Sequence, residues 1–429
     1  MKGRRLIRVF EYDRLKLGQI VGDVMFEQRD FEALQRIHAD QDVYFDLIHN
    51  GVRFKNYVGV LHLSRLTIEI LPKADNHPDA SEESKDGWRN LLIDMLRISG
   101  LSKVGSVSKA HQRLRNNTLL ELYLRHFLDE CDEVLRRGMV KTYRRHRGNV
   151  GALKGQLVFA THLRKNLVRQ DRFFTEHQVY DHDHLANHVL HEALNVVERI
   201  SANAELRSTA RKLLLRFPDM PKAPPIQAST FVKLGGGRKL EHYSDALGLA
   251  KLILLNFSPD LRRGEDDVLA ILFDMNVLWE RFIHRILQRD LGKSGYTVSY
   301  QNAKRFWNTR LVKPDLVLTT PQGERVIVDT KWKLIRDGRP SDADLKQMFV
   351  YNLFWQTDRS ILLYPGARTW SGDWGRFHRG NPLPKSEVYD DHHYCKVATL
   401  KVWKSTPSGP SLRKSIAQDI LEFTSQLGS

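Results

Sequence analysis

The sequence predicts a multidomain protein of the α+β or α/β class, with a small strand-rich N-terminal module, a helical middle region and a C-terminal mixed sheet flanked by helices. Three observations support this prediction. The chain has 429 residues, about three times the length of a typical domain. Its hydrophobic content of 41% provides for sizeable cores and excludes wholesale disorder. Its apolar residues also change period along the chain, from alternation to helical spacing and then to a mixture of both.

The N-terminal module is predicted over residues 1–74. Alternating apolar and polar residues in 43–54 and 57–73, with turn residues between them, predict strands, and residues 31–40 have helical spacing. Residues 75–87 (DNHPDASEESKDG) are almost entirely polar, and this composition predicts a linker.

The middle region is predicted over residues 88–243 and is mainly helical. Apolar residues recur at steps of three and four in 88–99 and 118–139. Between them and the next helical segment lies a basic stretch, residues 141–172, which contains nine Lys or Arg residues and one acid. We interpret this stretch as a DNA-binding track or a solvated surface, and the sequence leaves both possibilities open. The proline-rich residues 217–227 indicate a boundary or a rigid crossover.

The C-terminal domain is predicted over residues 244–429. Two helical segments come first, and several strand-like segments follow, with one helix between them and one at the C-terminal end. The strand-like segments are 296–300, 311–319, 324–331, 360–365 and 395–403, and the intervening helix is 342–356. Helices that flank such a set of strands are typical of a mixed sheet in an α/β or α+β domain.

Charge and cysteine content narrow the class of protein. The net charge is +16 and the pI is about 9.7, which favours a polyanionic partner such as nucleic acid. Cys131 and Cys395 are the only cysteines, so a disulfide framework and a cysteine zinc site are excluded, and we expect the reducing cytoplasm. The sequence has no signal-peptide core and no apolar run of about 18 residues, so we expect no membrane segment.

The segment with the strongest chemical signal is 311–333. Two apolar strand patterns flank a turn at Pro321-Gln322-Gly323. Asp315 and Asp329 are equidistant from the centre of this turn, so an antiparallel hairpin would bring them opposite each other. Directly opposed Cβ atoms lie about 4.5–5.5 Å apart, which lets two carboxylates bind one Mg²⁺ ion. The sequence therefore predicts a magnesium site at the open end of the hairpin.

Lys331 strengthens the chemical interpretation of this site. Strand alternation puts its side chain on the same face as Asp329. The preceding run Val326-Ile327-Val328 predicts a buried strand, so three charged residues near its end need a function. An ammonium group beside the metal could orient a water molecule for attack on phosphorus.

These residues resemble the PD-(D/E)XK nuclease signature, which here reads Pro314-Asp315 and Asp329-Thr330-Lys331. The resemblance implies a restriction-endonuclease-like C-terminal sheet with Mg²⁺ as cofactor. It implies that Asp315 and Asp329 bind the metal, with the Thr330 carbonyl as an extra ligand. It also implies that Lys331 positions the nucleophilic water and stabilises charge on the phosphate.

Two further pieces agree with this signature. Glu280 lies on the helix before the hairpin, and an acid from this helix helps to hold the metal in the family. Gln347 and Tyr351 have the Q-x-x-x-Y spacing found after the core lysine in RecB-like members. One helical turn apart, they share a face that could reach DNA. A helix-packing tyrosine with an exposed amide is nearly as good an interpretation of this pair.

Six segments occur in this order along the chain: RVFEY, YRRHRGNVGALKGQL, DHDHLANHVLHEAL, FDMNVLWERF, KPDLVL and VDTKWK. With these segments, most of the chain resembles one family, McrC, the nuclease subunit of the McrBC modification-dependent restriction system. The resemblance implies a Mg²⁺-dependent DNA endonuclease subunit of a GTP-driven complex, which docks on and stimulates an AAA+ GTPase resembling McrB. The sequence has no Walker A motif, so GTP would act only through that partner. Arg144, Arg145 and Arg147 are our candidates for further DNA contacts.

Two alternative functions stay open at this point. The first is a stand-alone PD-(D/E)XK nuclease that acts in DNA repair without a motor. The second is a non-catalytic adaptor that activates a partner NTPase.

Two other motifs are weaker candidates for a site. His184, His188 and His191 have the spacing of a helix face that could bind zinc, but the HExxH sequence is absent. Residues 234–239 (LGGGRK) lack the spacing and the final Ser or Thr of a phosphate loop, so we predict a flexible loop.

Overall fold

The chain forms two compact units. The first contains Met1–Leu119 and Leu272–Ser429, and the second contains Leu120–Ile271. The computed structural model describes residues 5–40, 43–63, 65–73, 82–101, 118–221, 223–235, 237–258, 267–292, 294–335, 338–378, 393–406 and 409–424. These compact units divide the chain after residues 119 and 271. The domain boundaries predicted from the sequence at residues 74, 87 and 243 stay predictions.

The N-terminal stretch is rich in strands, as predicted. Its elements are β1 (Arg5–Phe10), β2 (Arg14–Lys16), β3 (Ile20–Val21), β4 (Val24–Met25), α1 (Gln28–Asp40), β5 (Phe45–Ile48), β6 (Gly51–Phe54), β7 (Tyr57–Leu63), β8 (Leu66–Leu71) and α2 (Glu82–Ser99). β8 pairs in parallel with β1 and antiparallel with β7. Every residue of β8 is buried, so both faces of this strand are covered.

Helix α2 begins inside the segment that the sequence analysis predicted as a linker. Residues 82–87 of that segment are helical, and residues 75–81 lie outside the described part of the chain. Glu82, Glu83 and Lys85 favour a helix, whereas Gly87 disfavours one. The apolar face of the helix behind them, including Trp88, is buried, and this tertiary packing accounts for the longer helix.

The middle stretch contains both helices and strands. Its elements are α3 (Leu119–Arg137), β9 (Thr142–Val150), β10 (Gln156–Leu157), α4 (Phe159–Asn166), β11 (Phe173–Asp181), α5 (Leu185–Ile200), α6 (Ala204–Leu214), α7 (Ala228–Leu234), a 3₁₀ helix (Arg238–Tyr243), α8 (Ser244–Leu255), β12 (Phe257–Ser258) and β13 (Val268–Asp274). The nine-residue strands β9 and β11 pair antiparallel along their whole length. The basic stretch, residues 141–172, therefore contains the first strand of this ribbon, together with β10 and the short helix α4, and the second strand follows it. The region was predicted to be mainly helical, and this part of it differs from that prediction.

The core of the second unit forms around α5, which packs against α6 and α8. Tyr243 links two parts of this core. Its hydroxyl donates to Asn187 Oδ1 at 2.7 Å and accepts a hydrogen bond from the backbone N–H of Val140 at 2.8 Å. Because Tyr243 and Asn187 are both fully buried, these hydrogen bonds satisfy polar groups that have no access to water.

The C-terminal stretch returns the chain to the first unit. Its elements are α9 (Met275–Leu291), β14 (Thr297–Tyr300), β15 (Lys304–Trp307), β16 (Arg310–Val312), β17 (Leu316–Thr319), β18 (Arg325–Thr330), α10 (Asp342–Trp355), β19 (Arg359–Pro365), β20 (Trp370–Ser371), β21 (Gly375–Arg376), β22 (Tyr394–Leu400), β23 (Trp403–Thr406), β24 (Gly409–Leu412) and α11 (Ile416–Thr424).

A mixed sheet dominates this stretch, as predicted. Within the described residues it has seven strands in the order β14-β17-β18-β19-β22-β20, with β21 also paired to β22. β17 and β18 form an antiparallel hairpin, whereas β18, β19 and β22 are parallel. Helix α10 connects β18 to β19, the usual crossover for parallel neighbours.

Helix α10 covers one face of this sheet. The shared core contains residues from the sheet and from α10: Val317, Ile327, Met348, Tyr351, Trp355, Leu362, Tyr364 and Cys395. Because side chains alternate along a strand, Asp315, Asp329 and Lys331 are expected on the same face as Val317 and Ile327. The fold thus sets three charged residues at the edge of an apolar core.

Two expectations about the whole chain can be compared with the structure. Cys131 and Cys395 are both buried and free. Among the helices in the described ranges, none is long and apolar enough to cross a membrane.

Candidate active site

The β17–β18 hairpin has the register that the sequence predicted. Its pairs are Leu316 with Val328, Val317 with Ile327, Leu318 with Val326 and Thr319 with Arg325. Every pair is centred on residue 322, and Asp315 and Asp329 are the next positions in the same register. The predicted turn centre is therefore confirmed, and the two aspartates stand at the open end of the hairpin.

Asp315 is held in place by the residue that follows Asp329. The backbone N–H and the hydroxyl of Thr330 both donate to Asp315 Oδ2, at 2.7 and 2.8 Å. Burial raises the pKa of Asp315, although the hydrogen bonds from Thr330 oppose this rise. Because Oδ2 accepts both of these bonds, the other carboxylate oxygen is left for a further partner.

Asp329 is the most buried charged group of the site, with 1% of its surface exposed. Burial and the neighbouring Asp315 carboxylate raise its pKa to about 7, against the opposing effect of Lys331. Lys331 Nζ forms an ion pair with Asp329 Oδ2 at 2.6 Å. The site therefore places two mutually repelling carboxylates and the ammonium of Lys331 in a poorly solvated position.

Lys331 is fixed from several directions. Its ammonium also donates to Gln347 Oε1 at 3.1 Å, and its backbone N–H donates to the carbonyl of Leu363 at 2.9 Å. Burial acts to lower the pKa of Lys331, but the Asp329 and Asp315 carboxylates raise it overall. The side chain is therefore a protonated, oriented donor at neutral pH.

Gln347 and Tyr351 connect α10 to the site. Gln347 Nε2 donates to the Tyr351 hydroxyl at 2.7 Å, and this hydroxyl donates to the carbonyl of Lys313 at 2.9 Å. Tyr351 is buried in the core below α10, and burial raises its pKa to about 12. The helix-packing interpretation fits Tyr351 better than direct DNA contact does. The predicted DNA contact stays a prediction, and Gln347 is the member of the pair that is less buried.

Glu280 lies near Asp315, but its carboxylate accepts a hydrogen bond from another residue. Its Oε1 accepts a hydrogen bond from Gln301 Nε2 at 2.6 Å, and Lys313 Nζ donates to Gln301 Oε1 at 3.1 Å. Burial and the charge of Asp315 raise its pKa. Within the described ranges, no three His, Cys, Asp or Glu side chains form a group that could hold a metal ion. Glu280 therefore does not complete a three-carboxylate cluster with Asp315 and Asp329, and its predicted role as a ligand stays a prediction.

The donor set nevertheless suits Mg²⁺. Two carboxylates and a backbone carbonyl are oxygen ligands, and Mg²⁺ is commonly bound by one or two carboxylates while it keeps several water molecules. Burial raises the pKa of both carboxyl groups, and the charge of Asp315 adds to the rise at Asp329. A divalent cation would stabilise the ionised carboxylates that burial disfavours. The N–H of Thr330 points towards Asp315. In a strand, the carbonyl of a residue points to the same side as its N–H. The Thr330 carbonyl oxygen is therefore a suitable third ligand of the metal.

The three arginines predicted to contact DNA lie on β9 and differ in their surroundings. Arg144 forms ion pairs with Asp181 at 2.8 Å and with Asp183 at 3.1 Å, so its charge is already compensated within the second unit. The side chain of Arg145 is 82% exposed, and that of Arg147 is also exposed, and both lie near the single carboxylate of Glu176. Arg145 and Arg147 therefore keep a net positive charge on the surface.

The histidine face is explained by structural contacts. His184 is the N-cap of α5 and accepts from the backbone N–H of Ala186, while His188 Nε2 lies 2.7 Å from Asp183 Oδ1. His191 makes an edge-to-face contact with Phe217. Each of the three histidines therefore has a contact within the protein, and zinc binding by this face stays the weaker interpretation. In the glycine-rich loop, Gly236 lies outside the described residues.

Sequence reasoning missed several residues around the site. Gln301 holds Glu280 in place, and Glu11 accepts a hydrogen bond from the indole N–H of Trp332 at 2.7 Å. Glu11 belongs to the RVFEY segment and Trp332 to VDTKWK, two segments that resembled the same family. Their adjacency in space has no periodic signal, because 321 residues separate them.

Comparisons with known proteins agree with the resemblance. The family model described as "McrBC 5-methylcytosine restriction system component" matches residues 52–365. The chain is 23% identical over 172 residues to the type IV methyl-directed restriction enzyme EcoKMcrBC of Escherichia coli (strain K12). This match covers 39% of the chain and 49% of the relative, so the chain spans about half the length of the relative it matches.

Two solved structures have a similar fold. One is a refined half-complex from a tetradecameric assembly of Thermococcus gammatolerans McrB AAA+ hexamers with bound McrC. Its matched chain is 19% identical, with a TM-score of 0.66, and the match covers 97% of this chain and 100% of that one. The other is the Thermococcus gammatolerans McrBC complex, with 20% identity and a TM-score of 0.51 over 67% of this chain and 88% of that one.

Proposed function

Because this chain belongs to the McrBC family of 5-methylcytosine restriction system components, we propose that it is the Mg²⁺-dependent DNA endonuclease subunit of a modification-dependent restriction complex. Its C-terminal sheet is of the PD-(D/E)XK, restriction-endonuclease-like type in this proposal. The observation that carries the proposal is the arrangement of Asp315, Asp329 and Lys331 at the open end of the β17–β18 hairpin.

Asp315 and Asp329 would hold the metal ion, together with the Thr330 carbonyl. Mg²⁺, when bound, neutralises the two carboxylates and supplies Lewis-acid stabilisation to the reacting phosphate. The hydrogen bonds from Thr330 to Asp315 fix this carboxylate before any ion binds. A preformed site of this kind loses little conformational freedom on binding.

Lys331 is the group of the chain that acts on the reacting atoms. Its ammonium orients the attacking water and stabilises the negative charge that develops on the phosphate. The ion pair with Asp329 and the hydrogen bond to Gln347 support this role, because a long lysine side chain is otherwise free to adopt many conformers. In this proposal Glu280 has an auxiliary role beside Asp315 and Asp329. Its carboxylate supports the metal ion or a water molecule bound to that ion.

We further propose that GTP acts through a partner, an AAA+ GTPase that resembles McrB. The chain has no Walker A motif, so it would borrow nucleotide hydrolysis from another polypeptide. One of the structures with a similar fold contains McrB AAA+ hexamers with bound McrC, and this supports docking of our chain on a comparable ring. In this proposal the chain also stimulates the GTPase activity of the ring.

The β9–β11 ribbon is the second feature that we assign to DNA binding. The side chains of Arg145 and Arg147 are exposed, and the carboxylate of Glu176 is the counter-charge that both of them share. We assign these two arginines to phosphate contacts, which position a protein on DNA but carry no sequence information directly. Arg144 would contribute little, since Asp181 and Asp183 already bind it.

A cleavage assay with the full-length chain tests this function. DNA with and without 5-methylcytosine is incubated with the chain alone, with the partner, and with the partner plus GTP, each in Mg²⁺ and in EDTA. We expect cleavage that needs Mg²⁺, the partner and GTP.

The other outcomes distinguish the alternatives. Mg²⁺-dependent cleavage by the chain alone, with no effect of partner or GTP, would indicate a stand-alone nuclease. Stimulation of the GTPase without cleavage under any condition would indicate a non-catalytic adaptor. Cleavage that persists in EDTA would contradict the metal assignment.

A further inference from the structure

Glu11 is a buried carboxylate that the proposed mechanism does not use. It directly follows β1, and none of its surface is exposed. Its Oε1 accepts two hydrogen bonds at 2.7 Å, one from the indole N–H of Trp332 and one from the backbone N–H of Lys73. Among the described residues, its Oε2 has no hydrogen-bond partner and is also buried. Burial of a carboxylate oxygen without a hydrogen-bond partner is unfavourable for folding, so we looked for a function that Glu11 performs.

The backbone around Glu11 is shaped to hold its side chain inward. Its N–H donates to the carbonyl of Leu71, which extends the pairing of β1 with β8 by one residue. Tyr12 then adopts a left-handed conformation with φ of 64°, which is unfavourable for a bulky residue. The Asp13 carboxylate accepts from the N–H of Phe10 and closes the turn.

Trp332 is the other half of this contact, and it adjoins Lys331 in the chain. Its ring is buried and lies 5.4 Å from the ring of Trp279, the residue before Glu280. Trp279 Nε1 lies 3.5 Å from the carbonyl of Leu363, which also accepts the N–H of Lys331. The indole of Trp332 is thus fixed at its N–H by Glu11 and packs against the ring of Trp279, shortly after the strand that carries the site.

We propose that Glu11 is a positioning residue of the nuclease site, which fixes Trp332 and through it the backbone that presents Lys331 to Asp329. The inference rests on the proposed nuclease function and deepens it, since it makes the N-terminal module part of the catalytic architecture. Glu11 lies in the same compact unit as the hairpin, so the contact lies within one unit.

The chemistry needed from Glu11 is that of a hydrogen-bond acceptor at one atom. Both N–H donors reach Oε1, and an amide oxygen at the same place could accept both bonds. Burial raises the pKa of Glu11 to about 8. The charge of Asp274 adds to this rise, and the hydrogen bond from the Lys73 backbone and the charge of Lys73 oppose it. This pKa agrees with a role that does not depend on the negative charge.

Four full-length variants test this inference. Glu11→Ala removes the acceptor, Glu11→Gln keeps it, and Trp332→Phe removes only the indole N–H while it keeps most of the ring. Glu32→Gln changes an exposed glutamate of α1 and is the matched control. The measurements are single-turnover cleavage with partner and GTP, the DNA dissociation constant, and the rise in unfolding temperature caused by Mg²⁺ alone.

We expect cleavage by Glu11→Ala and Trp332→Phe to fall by about 10- to 100-fold, as for residues that orient a metal site from behind, with the DNA dissociation constant unchanged. Glu11→Gln and Glu32→Gln should cleave within about threefold of the wild type. If Glu11→Ala does not fold, Trp332→Phe and Glu11→Gln still probe the same hydrogen bond.

Two results of the cleavage assay would overturn the inference: wild-type cleavage by a folded Trp332→Phe, or a Glu11→Gln protein with the large defect expected of Glu11→Ala. Absence of Mg²⁺-dependent cleavage in the wild type would instead contradict the proposed function. In that case the response of each variant's unfolding temperature to Mg²⁺ still tests whether Glu11 positions the metal site. A response equal to the wild type in Trp332→Phe would then overturn the inference.

Discussion

At the scale of single residues, the site is defined by charge in a poorly solvated position. Asp329 is almost completely buried, and its carboxylate faces the negative charge of Asp315. The ammonium of Lys331 pairs with Asp329, and the charges of Lys331 and Lys313 both lower the pKa of Asp315, but burial still raises the pKa of both carboxyl groups. The remaining negative charge is unfavourable without a cation, and it is also what makes the site attractive to one.

The substitution Asp329→Asn should abolish cleavage and leave the protein folded. The neutral amide no longer repels Asp315, so the free energy of unfolding without metal should stay equal or rise by up to about 1 kcal/mol. Mg²⁺ should raise the unfolding temperature of the wild type, because it binds only the folded state, and should leave that of the variant unchanged. Thermal unfolding with and without Mg²⁺ measures both effects.

The control for this prediction is Asp342→Asn, which changes an exposed carboxylate in the first turn of α10. It should cleave DNA normally and keep the response to Mg²⁺. Residual cleavage at the wild-type rate in Asp329→Asn would show that this carboxylate has no catalytic function.

Lys331→Ala should reduce the cleavage rate far more than DNA binding. One ammonium contributes little to the phosphate attraction of a chain with a net charge of +16, whereas its position beside Asp329 suits chemistry. We expect the single-turnover rate to fall by at least about 100-fold and the DNA dissociation constant to change by less than about threefold. Lys346→Ala, at an exposed position of the same helix as Gln347, is the control and should change neither value.

A different pattern for Lys331→Ala would assign it another role. If DNA binding fails while bound DNA is cut at the normal rate, Lys331 is a phosphate anchor only.

The stability contributed by Glu11 should depend on pH. Burial raises its pKa from 4.5 to about 8, so the folded state takes up a proton that the unfolded state has lost. The contribution of Glu11 to the free energy of unfolding is therefore greatest below pH 4.5 and falls as the pH rises towards 8. Glu11→Gln lacks this titration. Its free energy of unfolding, relative to the wild type, should rise by on the order of 1–3 kcal/mol between pH 5 and 8.

Urea unfolding of both proteins at pH 5, 6.5 and 8 measures this difference. A difference that is constant over the range would show that Glu11 is ionised throughout. A difference that shrinks with rising pH would show that folding lowers the pKa of Glu11, contrary to the prediction.

At the scale of secondary-structure elements, the sequence predicted the hairpin well and the ribbon poorly. The hairpin has a clear turn and two apolar strands, so its register followed from the position of Pro321–Gly323. Strands β9 and β11 carry charged or polar residues at alternate and adjacent positions alike, and neither has a fully buried face. Such a ribbon lacks the apolar alternation on which strand prediction depends.

The ribbon provides a prediction about DNA binding. The double variant Arg145→Gln/Arg147→Gln should weaken DNA binding similarly for all sequences and reduce the slope of log K against log salt by about 2. Arg144→Gln is the matched control, because Asp181 and Asp183 already bind its guanidinium. It should leave the slope unchanged. Equal slopes for the double variant and the wild type would remove the ribbon from the DNA-binding surface.

At the scale of the whole molecule, the first unit joins two stretches that are far apart in sequence. Helix α2 packs against α9 and β24, and Trp88 contacts Trp403 with 4.9 Å between their ring centroids. A chain that ended near residue 221 would lack residues 272–429 and would expose these apolar faces. The division of labour between GTPase stimulation and cleavage must therefore be tested in the full-length protein.

The same long-range packing limits what a single sequence can predict. The aspartate pair and Lys331 follow from local periodicity and one turn. The contact of Glu11 with Trp332 and that of Glu280 with Gln301 depend on how distant segments pack, and no local pattern encodes them. The burial of Tyr351 likewise depends on the sheet beneath α10, so its spacing from Gln347 alone suggested a DNA-facing side chain.

The most direct test of the central claim measures two activities on one sample. The full-length Asp329→Ala protein is assembled with the partner GTPase, and GTP hydrolysis and cleavage of methylated DNA are followed together in Mg²⁺. Our account predicts GTP hydrolysis at the wild-type rate and no cleavage, because the carboxylate serves only the nuclease site. Cleavage at the wild-type rate, or a loss of GTPase stimulation in a folded and assembled complex, would contradict it.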